Sequence, residues 1–183
     1  MSSGSGVPAV PGVLSSAQQV DEFLALWRRV LAWDAADGLS PLSGPHTVLV
    51  VTDGGLCRIR PCDVSDPFMV DQQLQRTLLR RHVITESVPP ADSRFAADGR
   101  AATLAGEQVK LTKLGDDPAF CLGDSPPAVA SRPPLQEGDV TVYIVETPFV
   151  SCSEVSDAIG RHPQSNPFCP PGPPEPPVPE PKQ

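Results

Sequence analysis

The sequence is short of positive charge. It carries 14 Lys and Arg against 22 Asp and Glu, a formal net charge of -8. Phosphate contacts need clustered basic side chains, so this deficit argues against nucleic-acid binding. It also disfavours docking on anionic lipid. An apolar run of the roughly 20 residues that crosses a bilayer is missing as well, so no membrane insertion is expected. No Cys-x-x-Cys pair occurs among Cys57, Cys62, Cys121, Cys152 and Cys169, which leaves a zinc site without its usual ligand spacing. The single Asn, Asn166, precedes Pro167, so no Asn-x-Ser/Thr glycan acceptor exists. Residues 1–12 have neither a basic start nor an apolar stretch, and no secretory signal is visible in them.

Catalytic patterns are missing too. There is no Gly-rich phosphate loop followed by Lys and no Gly-x-Ser-x-Gly elbow. His46, His82 and His162 belong to no recognisable set of nucleophile, base and orienting group. A lone histidine such as His82, after a helix, is more often structural than a ligand. The Asp116-Asp117 pair lies in a loop-like stretch, where solvation explains two carboxylates. The expectation is a protein that is not an enzyme and uses no cofactor and no metal. Cys57 and Cys62 are close enough to pair across a short loop if the chain is exported; reduced thiols in a cytosolic chain are the alternative.

Proline is abundant instead. Of 24 prolines, ten fall between Pro163 and Pro181, which marks a composition boundary. Four parts follow: a flexible Ser/Gly/Pro leader over residues 1–14, a folded domain over 15–150, a short connecting segment over 151–162, and a disordered Pro-rich tail over 163–183. The tail reads as an extended spacer or as a Pro-x-x-Pro ligand for aromatic grooves, and without a flanking Arg the spacer is favoured.

Within the domain, Ser16-Ala17-Gln18-Gln19 reads as a capping box. Behind it Val20, Phe23, Leu24, Trp27, Val30 and Leu31 recur at helical steps, and Asp37-Gly38 should end that helix. Thr47-Val48-Leu49-Val50-Val51-Thr52 is a strand buried on both faces, with Asp53-Gly54-Gly55 as the turn after it. Asp66-Pro67 starts a second helix whose inner face is Val70, Leu74 and Leu78, and His82-Val83-Ile84-Thr85 is a short strand. Residues 102–104 and 109–112 form a hairpin about Gly106. Residues 116–134 read as a long loop. Val140-Thr141-Val142-Tyr143-Ile144-Val145 is a strand, and residues 153–159 form a helical turn. The basic clusters at Arg28-Arg29, Arg58 to Arg60 and Arg80-Arg81-His82 read as solvated faces.

The order of these pieces resembles fasciclin-like (FAS1) domains. Thr47-Val48-Leu49-Val50-Val51-Thr52-Asp53 is similar to their strand of the type Thr-Val-Phe-Ala-Pro-Thr-Asp. Leu78-Leu79-Arg80-Arg81-His82-Val83-Ile84 resembles Leu-Leu-x-Tyr-His-Val-Val, with Arg81 in place of tyrosine. Thr103-Leu104-Ala105-Gly106 resembles the hairpin that follows, and residues 138–145 stand where the family has its closing strand, with Tyr143 replacing a histidine. The chain is thereby similar to a divergent member over roughly residues 15–150.

The resemblance implies an α+β fold, a β-wedge of short strands flanked by helices. It implies a cell-adhesion or extracellular-matrix binding module, secreted or at the cell surface, with a receptor or matrix polymer as partner. The tyrosine-histidine segment of such domains is linked to integrin-type receptors, so a protein-binding role is implied for Arg81, His82, Val83 and Ile84. The alternative is a cytoplasmic interaction scaffold whose Pro-rich tail recruits groove-bearing domains.

Overall fold

The computed structural model describes residues 6–8, 19–60 and 66–162. The first helix, α1, spans Asp21–Ala36 and buries Phe23, Leu24, Leu26, Trp27 and Val30 on one face. Its first-turn carboxylates, Asp21 and Glu22, suit the positive end of the helix dipole. No side chain of its own caps it; Ser16 lies outside the described residues and Gln19 turns at φ 55°. The Glu22 N–H donates instead to the Asp53 carboxylate, 2.9 Å away. Asp37 and Gly38 (φ 75°) close the helix where the sequence places its end.

Strand β1 (His46–Val51) is buried at every position. His46, just before the run that the sequence marks as the strand, is its first residue. After β1 the chain does not turn. Thr52 accepts a hydrogen bond from the Gly55 N–H and starts a helix, α2, at Asp53–Ile59. Gly55 serves close packing, because a Cβ there would run into the carbonyl of Glu146.

Asp66 and Pro67 open α3 (Pro67–Val70), and Asp71 then interrupts the helix and caps α4 (Gln72–Arg81) through the Leu74 N–H. The break turns Val70 outward, at 38% exposure, while Leu74, Leu78 and Leu79 stay inside. Next come β2 (Val83–Ile84), a 3-10 turn at Ser93–Phe95, β3 (Arg100–Ala102) and β4 (Gln108–Leu114). Residues 116–134 are not a long loop. They hold β5 (Asp117–Leu122) and β6 (Ala128–Val129), followed by β7 (Leu135–Glu137) and β8 (Val140–Val145). Ala119, Phe120 and Leu122 point inward, and Gly115 and Gly123, both at positive φ, make the reversals on either side.

Two four-stranded sheets result, ordered β2-β1-β8-β7 and β3-β4-β5-β6. In the first, β1 runs parallel to β8, from His46 beside Val140 to Val51 beside Val145. In the second, all neighbours are antiparallel. The sheets meet at two seams. Ile84 bridges to Thr103 at one, and Ala130 bridges to Val145 at the other. Between them Phe95, Phe120 and Tyr143 pack with ring centroids 4.9–6.4 Å apart, mostly edge to face. The Tyr143 hydroxyl donates to the Val88 carbonyl at 2.8 Å.

The final helix, α5 (Cys152–Arg161), starts with a reciprocal capping box between Ser151 and Glu154. It packs on α3 and α4 and is anchored at its far end, where Arg161 and His162 reach the buried Asp71 carboxylate at 2.8–3.1 Å. Within the stretch expected to be a flexible leader, residues 6–8 are buried. The Pro-rich tail lies outside the described residues, as do Cys62 and with it the Cys57–Cys62 bridge. No described helix is long and apolar enough to cross a membrane.

Candidate interaction site around Arg81

The segment Arg81, His82, Val83 and Ile84 sits at a seam between the sheets, where α4 hands over to β2. Main-chain bonds hold the corner: Leu104 N–H donates to the Val83 carbonyl at 2.7 Å and Ala105 N–H to the Arg80 carbonyl at 3.1 Å. His82, Val83 and Ile84 are completely buried. The sequence thus finds this corner as a landmark, but three of its four residues face the core and offer no surface to a partner.

His82 is a structural residue with both ring nitrogens committed. Nδ1 lies 2.7 Å from the Leu78 carbonyl, and Nε2 accepts from the Phe149 N–H at 3.2 Å. Only one tautomer serves both partners, the neutral ring protonated at Nδ1. Phe23 and Phe149 flank it, with centroids 5.9 and 4.9 Å away. Burial disfavours the cation and brings the imidazole pKa down to about 4, with the nearby Arg81 charge acting in the same sense.

Arg81 is the residue with a working head group. It forks onto Glu107, with Nε to Oε2 at 2.7 Å, and its Nη1 reaches Glu154 at 2.8 Å and the Phe149 carbonyl at 3.2 Å. One side chain thereby ties α4 to the β3–β4 turn, to α5 and to the chain after β8. Burial works toward a neutral Glu154, but the Ser151 N–H and the Arg81 guanidinium win and hold its pKa below the usual range. The arginines read from sequence as a solvated face are part of the frame. Arg80 sits 3.2 Å from both oxygens of the buried Asp34 carboxylate, and Arg76 lies 2.5 Å from Asp37.

An open cleft of about 800 Å³ runs beside Arg81. Arg76, Thr77, Arg80, Leu104 and Glu107 line it, with Gln73 at its edge. A second hollow of about 510 Å³ lies across the Arg81–Glu107 pair, bordered by Gln108, Ser125 and Ser151. The Arg81–Glu107 pair at the end of α4 therefore forms a ridge between two shallow concavities, with Arg76 and Arg80 along the larger one, a relief suited to a protein or polymer surface more than to an enclosed small molecule. Among the described residues no group of three or more His, Cys, Asp or Glu side chains is placed to hold a metal ion. Glu107, Glu154 and Asp34 escaped the sequence reading. Only Glu154 had a local signal, three residues after Ser151.

No known family's sequence profile matches the chain, and no curated protein matches it by sequence. A solved structure does match: the FAS1 domain pair from the insect cell adhesion molecule Fasciclin I, with a TM-score of 0.57. The fold is fasciclin-like. The superposition covers 75% of this chain and 49% of that one at 11% identity, so the chain spans about half the length of its match. At that identity the likeness concerns architecture. It agrees with the α+β wedge flanked by helices that the resemblance in sequence implies.

Proposed function

We propose that this chain is a non-catalytic binding module of the adhesion type, which engages a protein or matrix polymer outside the cell. The observation that carries this reading is the fasciclin-like wedge shared with a cell adhesion molecule. The α4 ridge supports it with a place for contact: Arg76, Arg80 and Arg81 keep their geometry through ion pairs, while Gln72 and Gln73 stand exposed beside them. A preorganised polar surface of this kind loses little side-chain freedom on binding. The buried and doubly bonded His82 is unsuited to acid–base work, which fits a binding role. Recognition would pass through Arg81 and the cleft, since Val83 and Ile84 lie inside.

A cell-attachment assay on immobilised protein tests the reading, together with fractionation of cells into medium, surface and cytosol. Saturable attachment, weakened by the bulky Gln73→Trp in a variant that melts like the parent, is the expected result. Protein confined to the cytosol would overturn it. Among the described residues Cys57, Cys121 and Cys152 are free thiols, which would also suit a second reading, a cytoplasmic scaffold acting through the tail.

A further inference from the structure

Residues 6–8 lie in the fold as a bound peptide would. Gly6 forms a parallel bridge with Pro41, its N–H donating to the Ser40 carbonyl at 2.5 Å and its carbonyl accepting from the Leu42 N–H at 3.1 Å. The Val7 N–H donates to Asp34 Oδ2 at 3.0 Å, and the Val7 side chain is wholly buried in the core. The Pro8 carbonyl accepts from the indole N–H of Trp27 at 2.7 Å. The partners come from α1 and the stretch just after it, 19 and 27 residues away for Trp27 and Asp34. All four bonds use the segment's main chain, and the Val7 side chain and the Pro8 ring are both buried. That is the chemistry by which an extended peptide joins a receptor edge.

The groove is also selective. A Cβ on Gly6 would sit 3.2 Å from both the Asp34 Cβ and the Ser40 carbonyl oxygen, so a larger first residue fits only if these neighbours give by a few tenths of an ångström. The second needs an N–H and a compact apolar side chain. The third uses only its carbonyl, so a proline fits without leaving a donor unmet. Asp34 is preset for the task. Arg80 holds its carboxylate by both oxygens, and Asp34 itself is buried.

We propose that this groove is a peptide-recognition site for extended segments of the type Gly-Val-Pro, with residues 6–8 as its resident occupant in cis. The proposal stands apart from the adhesion reading and the α4 ridge. A partner segment competes with a tethered one, whose effective concentration on the order of millimolar masks the site in the intact chain. Weakening the resident segment uncovers it.

The test uses the full chain carrying Val7→Asp, which puts an unpaired carboxylate in the core and expels the segment. A fluorescent decapeptide of residues 1–10 is titrated into this variant and into the parent chain, with a cooperative melt confirming that each is folded. The expected result is saturable binding to the variant, roughly tenfold or more tighter than to the parent, in which the tether competes. Decapeptides carrying Gly6→Val or Val7→Asp should bind roughly tenfold more weakly than the parent peptide. A peptide of residues 174–183 should also fail, because Pro177 in Pro177-Val178-Pro179 has no N–H for Ser40. Should Val7→Asp prevent folding, Val7→Ala in the full chain loosens the segment with its main-chain bonds intact and gives the same comparison. Equal affinity of the peptide for variant and parent, or binding that ignores Gly6 and Val7, would overturn the proposal.

Discussion

The two sheets of the wedge are built on different terms. Every residue of β1 is buried, and so are the last five of β8, since both faces of these two central strands are covered, whereas the edge strand β7 is largely exposed. In β4 only Val109 and Leu111 are buried, while Gln108, Lys113 and Leu114 face water. The first sheet is a core element read from a continuous apolar run, and the second is a one-sided sheet read, if at all, from alternation. The contrast predicts where substitutions are tolerated. Leu49→Ala in β1 should lose about 2–5 kcal/mol of unfolding free energy in urea titrations. Leu114→Ala, at 56% exposure, should stay within about 0.5 kcal/mol. Similar losses at both sites would show that something covers the second sheet, and the contrast would be gone.

The seam between the sheets supplies the next largest effect, and it depends on pH. His82 titrates near 4 when folded, against 6.5 ordinarily. The folded state therefore binds fewer protons than the unfolded chain between these values. Stability is complete above pH 6.5 and falls as pH drops toward 4, by about 3 kcal/mol for this group. The carboxylates of Asp71, held low by Arg161, and of Asp92, held low by Arg94, add losses of the same sign at still lower pH. Denaturant midpoints measured from pH 7 to pH 4 should decline, and in His82→Gln the decline over this window should largely vanish. A flat profile in the parent chain would place His82 in a more polar setting than the seam described here.

The same contrast explains how much could be read in advance. Strands β1 and β8 and the inner face of α1 follow from long runs of one period. β5 was hidden because its inward residues, Ala119, Phe120 and Leu122, are only three and lie among Asp, Pro and Gly that ordinarily mark a loop. α2 was hidden because Gly54 and Gly55 read as a reversal, whereas Gly55 is small to admit the Glu146 carbonyl, a neighbour 91 positions away in sequence. The site fared likewise. Arg81 and His82 stand out in the sequence, but their roles depend on Glu107, Phe149 and Glu154, which lie 26 to 73 residues from Arg81. One sequence does not pair a guanidinium with remote carboxylates. Nor does a Ser/Gly/Pro leader disclose that Val7 finds a socket.

Arg81 offers a sharper measure of what holds the seam. Arg81→Met keeps the aliphatic stem but leaves Glu107 and Glu154 without their cation, and because these groups are partly solvated the expected loss is about 1–2 kcal/mol. A double-mutant cycle with Glu154→Gln should return a coupling of about 0.5–1 kcal/mol, and one with the more exposed Glu107 a smaller value. Zero coupling in both cycles would mean that the main-chain bonds of Leu104 and Ala105 hold the corner alone.

The smallest effect tests how the first sheet anchors its helices, a device for which the second sheet has no described counterpart. Asp53 is the first residue of α2 and lies in its first turn, yet its carboxylate accepts the Glu22 N–H at the start of α1. Its own N–H donates to the Gln19 carbonyl at 2.8 Å, so the exit of β1 and the entry of α1 are clasped from both sides. Two helix N-termini thus share one negative charge, which each dipole favours. Asp53→Ala removes the acceptor and the charge and should cost about 1 kcal/mol, a typical loss for an N-cap. Asp53→Asn keeps an acceptor oxygen and should recover roughly half of that, with the remainder fading as salt is raised. If Asn recovers nothing and salt has no influence, the clasp works through the backbone bond to Gln19, and the order found at the end of β1 comes from the strand alone.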